Sequence, residues 1–404
     1  MRTRYGVSPW IEAVPAKRRG DHPRLRGEHA ARVVVVGGGL TGCAVAQACA
    51  AAGLAPMLVE AGRIGQGSSG HGAGLLLPDP GVPFRDAVGG HGLRAARLMF
   101  QAWRRASLDA AALLRRLRVP CGLESCDSLT VGRTGDEKAL ARELDARTGA
   151  GLDARGLTAA QARRATALEA VGGMRQSGAF TLDPYRAALG LAKSAVSRGA
   201  TVFERTPVRR VRFGRRGAEV AVEGGLVRAD TVIICTGRAT AEFTPLRRHF
   251  KARETYLVLT EPVPAAVRRH MGARDLVVAD MAEARQTIRW TRDGRVLVAG
   301  ADRDEPPARQ REAIRVQRTG QLMYELLLKY PVISGLRPEL GWESAYGRTA
   351  DGLPYVGPHR NYPHHLFALG GEGSATGAFL AARLLARAAS GAPEKGDDVF
   401  GWTR

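Results

Sequence analysis

Four consecutive valines, Val33, Val34, Val35 and Val36, run directly into Gly37-Gly38-Gly39-Leu40-Thr41-Gly42. Few folds accept that arrangement. β-Branched side chains suit a pleated strand, and an unbroken apolar run suits one buried on both faces, as in a parallel sheet covered by helices. The glycines keep the spacing G-x-G-x-x-G. Gly37 permits a tight turn, Gly39 lets the backbone approach a pyrophosphate, and Gly42 lets the next helix pack on the strand. Residues 44–52 read as that helix, with its first-turn N–H groups facing the phosphates. Gly53 ends it, and residues 54–59 read as a second strand. Glu60 stands at the tip of that strand, where a carboxylate can accept a hydrogen bond from a ribose hydroxyl. The order strand, glycines, helix, strand, acid predicts dinucleotide binding and leaves FAD or NAD(P) open.

The chain has 404 residues, enough for a large core and more than one domain. It has no run of about eighteen apolar residues, so no membrane span is expected. Residues 1–20 are basic but lack the apolar stretch of a signal peptide, and a cytoplasmic location is expected. Cys43, Cys49, Cys121, Cys126 and Cys235 form no C-x-x-C pair, and an odd count fits a disulfide framework poorly. We expect buried thiols and no metal site. The net charge of +21 would attract anions, but the arginines are scattered through nearly every segment. No nucleic-acid module accompanies them. A solvated basic surface is therefore expected rather than a nucleic-acid partner, with steering of an anionic substrate left open.

Residues 1–30 read as an extended arm whose Ser8-Pro9-Trp10 packs onto the body. Residues 62–74, rich in glycine, read as a loop that a ligand can approach closely. Helical spacing marks 91–118, 136–148, 185–198 and 310–330. Thr158, with Gln161 three residues on, predicts a capped helix over 158–164. Strands are predicted at 201–204, 208–213, 218–222 and 231–235, the last running into Thr236-Gly237. Those at 257–259, 275–278, 287–290 and 295–299 read as an antiparallel sheet with a hairpin at Asp293-Gly294. Residues 366–369 read as a final buried strand. A second glycine cluster, Gly370 to Gly377, then opens a small-residue helix.

Four markers in order resemble the D-amino-acid oxidase superfamily of FAD-dependent amine and amino-acid oxidoreductases, which includes glycine oxidase, sarcosine oxidase and γ-glutamylputrescine oxidoreductase. They are Gly37-x-Gly39-x-x-Gly42 with Glu60; Gly65-x-Gly67-Ser68-Ser69; Cys235-Thr236-Gly237; and Asp351-Gly352-Leu353-Pro354 with the segment 366–377. The resemblance implies an α/β fold in which a doubly wound, Rossmann-type FAD domain (31–85, 156–243 and 345–404) interleaves with a mixed or antiparallel-sheet substrate domain (86–155 and 244–344), preceded by the arm (1–30). It assigns to FAD Gly37, Gly39, Leu40, Thr41 and Gly42, then Glu60, Ala61 and Arg63. Gly67, Ser68, Ser69, His71 and Gly72 follow from the loop, with Val208, Thr236 and Gly237. Gly371, Gly373, Ser374, Ala375 and Thr376 complete the set. The helix after the second cluster would face the pyrimidine end of the flavin and stabilise its reduced form. The implied reaction passes a hydride from the C–H beside a substrate nitrogen to flavin, and the imine is then hydrolysed.

Departures from the family pattern bear on the substrate. Tyr346 stands where α-amino-acid oxidases often place a carboxylate-binding arginine, and Arg348 lies two residues on. Amines and modified amino acids remain open. Glu372, Tyr256 and Arg289 are further pocket candidates. The cysteine that carries covalent flavin in sarcosine oxidases is Ser344 here. Non-covalent FAD is expected, while the resemblance allows a link at His71. No lysine lies within 295–300, which leaves oxygen or another electron acceptor open. The alternatives are an NAD(P)-dependent dehydrogenase, or a non-catalytic or RNA-associated flavoprotein.

Overall fold

Val33 and Val35 point to one side of their strand, Val34 and Val36 to the other, and all four are buried. Each such side chain contributes about 1.5–3 kcal/mol of burial, so the run commits the strand to the middle of a sheet. In the computed structural model, which describes residues 3–214, 217–282, 285–371 and 375–404, it has that position. The strand Gly27–Val36 lies parallel between Gly225–Gly237 and Met57–Val59. Thr201–Phe203 and Tyr362–Leu369 extend the parallel set on either side. Tyr355–His359 closes one edge antiparallel, and Val208–Gly214 with Gly217–Val222 forms an antiparallel flap.

Helices Leu40–Ala51, Pro184–Val196 and Thr376–Ala389 cover the face that carries Val33, Val35, Leu58 and Ile233. The other face, with Val34, Val36 and Ile234, packs under the flap and Phe243. Both faces are thus covered, and this is the doubly wound half of the α/β fold.

The second sheet runs Arg4–Tyr5, Pro338–Arg348, Lys251–Thr260, Val296–Asp304, Thr287–Trp290, Leu276–Asp280, Glu124–Gly132, Gly172–Thr181 and Leu75–Leu76, with Arg155–Thr158 beside Gly172–Thr181. Two of its pairings are parallel and the rest antiparallel, so it is mixed. The expected hairpin at Asp293-Gly294 is present, with Gly294 at φ +80°. Helix Arg311–Lys329 packs on one face, against Tyr256, Val258, Val296 and Val298. Sheet membership differs from the expected division in several segments. Leu75–Leu76, residues 156–158, Gly172–Thr181 and residues 345–348 fall within the expected FAD segments but hydrogen-bond into this second sheet.

Local signals hold well. Thr158 and Gln161 form a reciprocal capping box. The helix expected at 91–118 is longer, Phe84–Arg116, because it continues past a break at Gly92, φ +78° and ψ +157°. Glu143, from a different helix, accepts the N–H groups of Phe84 and Arg85 at its start and forms an ion pair with Arg147. The arm packs as expected. Trp10 donates to the Gly72 carbonyl at 2.9 Å, and the Ser8 hydroxyl donates to that of Gly70. Residues 4–5 add a short strand to the second sheet. All five cysteines are buried and free.

Candidate active site

The glycines at the first strand end each meet a different constraint. Gly37 has φ +106°, and a Cβ there would lie 2.6 Å from the Cys235 carbonyl oxygen. A Cβ on Gly42 would lie 1.8 Å from the Gly37 carbonyl oxygen, so only glycine lets helix Leu40–Ala51 seat on its strand. Gly38 is as confined, against Ile64 and Glu60, a constraint the motif spacing alone does not mark. Gly39 differs: a Cβ would meet only the Ser69 hydroxyl, at 3.1 Å. It opens onto a cavity of about 1560 Å³ between the two sheets.

Three further glycines present bare backbone to this cavity. Among the described residues, a Cβ on Gly67 or Gly237 would have nothing within 4 Å, and one on Gly371 would meet only Pro354, at 3.8 Å. The cavity runs past Leu40, Thr41, Glu60, Ala61 and Arg63, then Ser68, Ser69 and Gly72, then Val208 and Thr236, to Ala375. Most of the expected cofactor contacts therefore share one wall. Gly42, His71 and Thr376 stand behind it. Gly42 is spent on packing, the His71 ring faces the Gly67 carbonyl at 3.0 Å, and the Thr376 hydroxyl donates to Leu77 at 2.8 Å. Glu372, Gly373 and Ser374 lie outside the described residues.

Side chains from distant segments hold the glycine-rich loop open. Ser69 Oγ accepts the Leu40 N–H at 2.8 Å, capping the helix start from outside. Ser68 Oγ donates to Ala345 at 2.5 Å, and Trp342 Nε1 to His71 at 2.9 Å. Glu60 accepts from the Gly38 and Gly62 N–H groups at 2.5 and 2.7 Å. The far end is tied in the same way. Gly370 donates to the Gly237 carbonyl at 2.9 Å, and the Ala375 N–H reaches Leu75 at 2.8 Å. Asp351 is half-buried at a cost, yet Arg404, 2.7 Å away, and the N–H of Leu353 hold its carboxyl below the usual range.

The second sheet forms the opposite wall, and side-chain parity decides what it offers. Along Lys251–Thr260, Arg253, Thr255 and Leu257 face the cavity. Tyr256 does not. It is fully buried on the other face, against helix Arg311–Lys329, with its hydroxyl on Glu254 at 2.8 Å. Burial, reinforced by Glu254, pushes that phenol well above its ordinary value. Arg289 also misses the wall. It is buried behind Gly74 with its guanidinium 5.2 Å from the Trp10 ring, and burial lowers its pKa to about 10. Tyr346 and Arg348 do line the cavity, and the Tyr346 hydroxyl donates to Asp302 at 2.6 Å. Asp302, Arg253 and Arg285 went unpredicted. Only strand alternation could have flagged Arg253, and nothing local marks the other two.

A family model described as "FAD dependent oxidoreductase" matches residues 32–388. The chain belongs to this FAD-dependent oxidoreductase family. Its cofactor is FAD, which removes the NAD(P) alternative, and the bare-backbone cradle fits a dinucleotide. A probable oxidoreductase, OrdL, of Haemophilus influenzae is 28% identical over 234 residues, covering 56% of this chain and 51% of its own length. The chain thus spans about half of that relative. The γ-glutamylputrescine oxidoreductase of Escherichia coli is 24% identical over 379 residues, covering 90% of this chain and 85% of its own. Glycine oxidase from Geobacillus kaustophilus shares the fold, with a TM-score of 0.76 at 21% identity over 93% of this chain and 99% of that one. Among the described residues no helix is long and apolar enough to cross a membrane.

Proposed function

We propose that this family member oxidises the carbon–nitrogen bond of an amine or amino-acid-like substrate. The observation that carries the reading is a single cavity that begins at the helix start beside Gly39, ends at Gly371 and is roofed by Leu257, Thr255 and Ala299. FAD, when bound, supplies the hydride acceptor. The chain's own groups position the two reactants and exclude water. Glu60 would release its two backbone donors in exchange for ribose hydroxyls, and the helix start at Leu40 and Thr41 would face the pyrophosphate. Tyr346, held by Asp302, and Arg348 border the space under the roof and are the proposed substrate contacts. The substrate loses two electrons and two protons, and its imine hydrolyses in water to a carbonyl compound and an amine.

The FAD-binding and roof segments would then act as two domains closing on one cofactor. Oxygen or another acceptor would reoxidise it. Anaerobic mixing of the FAD-loaded chain with secondary amines, D- and L-amino acids and polyamine conjugates tests this. At least one class should bleach the flavin absorbance. If none does while dithionite bleaches it fully, the proposed reaction is wrong. Salt-sensitive retention of RNA with no turnover would favour the RNA-associated alternative.

A further inference from the structure

Most arginines that border the cavity are already neutralised. Arg147 pairs with Asp79 at 2.5 Å, Arg238 with Glu305 at 2.5 Å, Arg253 with Asp304 at 3.0 Å and Arg404 with Asp351 at 2.7 Å. Arg285 does not follow them. It lies between strands Leu276–Asp280 and Thr287–Trp290 of the roof sheet, half-buried, with its side chain on the cavity. Its guanidinium donates to the Gly81 carbonyl at 3.2 Å and to the Thr130 hydroxyl at 3.1 Å, both uncharged. Its Nε–H is buried without a partner, and no carboxylate among the described residues pairs with it. Asp280, five residues away, is engaged by Lys329 at 3.5 Å and Arg133 at 3.7 Å. The Gly81 and Thr130 bonds fix the fork in place and leave its charge unmatched by any described carboxylate. Once ligands displace water from the chamber, that charge needs an anion beside it.

We infer that Arg285 binds an oxyanion of the substrate, so that the preferred substrates are amines that also carry a carboxylate. This rests on the amine-oxidising reading above. A planar guanidinium matches a carboxylate with two donors, which neither an amide nor an alcohol reproduces. Asp302 supplies the opposite sign in the same chamber. It accepts from Tyr346 and forms no ion pair among the described residues, which suits the amine end. The position differs from that of Tyr346, where family members acting on α-amino acids often carry their arginine, so the anion would enter from another side of the roof.

The test titrates the oxidised, FAD-loaded chain with acetate, propanoate and butanoate, and with their amides, at fixed ionic strength, following the flavin absorbance bands. The carboxylates should perturb the spectrum and the amides should not. Arg285→Gln should weaken carboxylate binding roughly tenfold to a hundredfold, the loss of a charged hydrogen-bonded contact, and Arg285→Lys should restore part of it. Thr130→Val removes one tether but keeps the charge, and the carboxylate response should persist. The proposal fails if no carboxylate perturbs the unmodified protein or if Arg285→Gln binds them unchanged. It also fails if Thr130→Val loses the response as fully, which would make Arg285 a tether only. An equal loss of FAD affinity in Arg285→Gln would assign the charge to the cofactor and overturn it too. Bleaching by amines with no role for Arg285 would remove this inference and leave the proposed reaction standing.

Discussion

The two walls of the cavity are built on different principles. On the dinucleotide side, chemistry is placed by backbone, since Gly37, Gly39, Gly42 and Gly371 act by lacking a side chain, at spacings that survive in the sequence. On the roof side, chemistry is placed by side-chain parity on strands, and a one-residue error moves a group through the sheet. Tyr256 and Thr255 are neighbours in the chain, yet one packs against a helix and the other lines the cavity. A glycine motif can be read without knowing the register, whereas a pocket residue on a strand cannot.

The contrast can be broken first at the glycines, where the effect is largest. Gly42→Val places carbon against the Gly37 carbonyl, and we expect a loss of about 3 kcal/mol or more together with FAD binding. Gly39→Ala meets only a serine hydroxyl and should change stability by about 0.5 kcal/mol or less, read by thermal melting. Equal effects would refute the division of labour within the motif.

The dinucleotide half also buries an unpartnered imidazole. His365 is buried among Phe213, Phe243 and Phe367 with neither ring nitrogen bonded, and burial, aided by His364, pushes its pKa down to about 4 from 6.5. The unfolded chain therefore takes up a proton near pH 6.5 that the folded one refuses until about pH 4. This group alone should take about 3 kcal/mol off stability as pH drops through that window and contribute no further loss below it. Denaturant melts of His365→Phe should lose this share of the slope and keep the smaller one from His249 and His359.

On the roof the parity argument sharpens with paired variants. Tyr346→Phe should raise KM roughly tenfold to a hundredfold with little change in melting. Tyr256→Phe should cost about 1–3 kcal/mol of stability, because it strips buried Glu254 of a donor, and leave KM unchanged. A smaller effect than at Gly42 or His365 is expected at the arm. Trp10→Ala removes its bond to Gly72 and its stacking on Arg289, worth about 1–2 kcal/mol together, with no change in KM.

Much of the fold was legible because its signals are local: the valine run, the Thr158 capping box, the Asp293-Gly294 turn and the helix stopped at Pro331. What escaped depends on partners far away in the chain. Arg155–Thr158 and Gly172–Thr181 look like neighbours of the FAD segments, but their hydrogen bonds go to the other sheet and to each other. Arg289 reads as a pocket charge until Trp10, from the opposite end of the chain, covers it. Arg285 carries no motif. What sets it apart is that no carboxylate among the described residues pairs with it.

A crystal structure of the FAD-loaded chain tests the central claim most directly. One FAD per chain should extend from Glu60 and Gly39 to Gly371, with its flavin ring beneath Leu257 and Ala299. A dinucleotide bound outside this cavity, or one that reaches Gly39 but leaves the space under the roof untouched, would contradict the account.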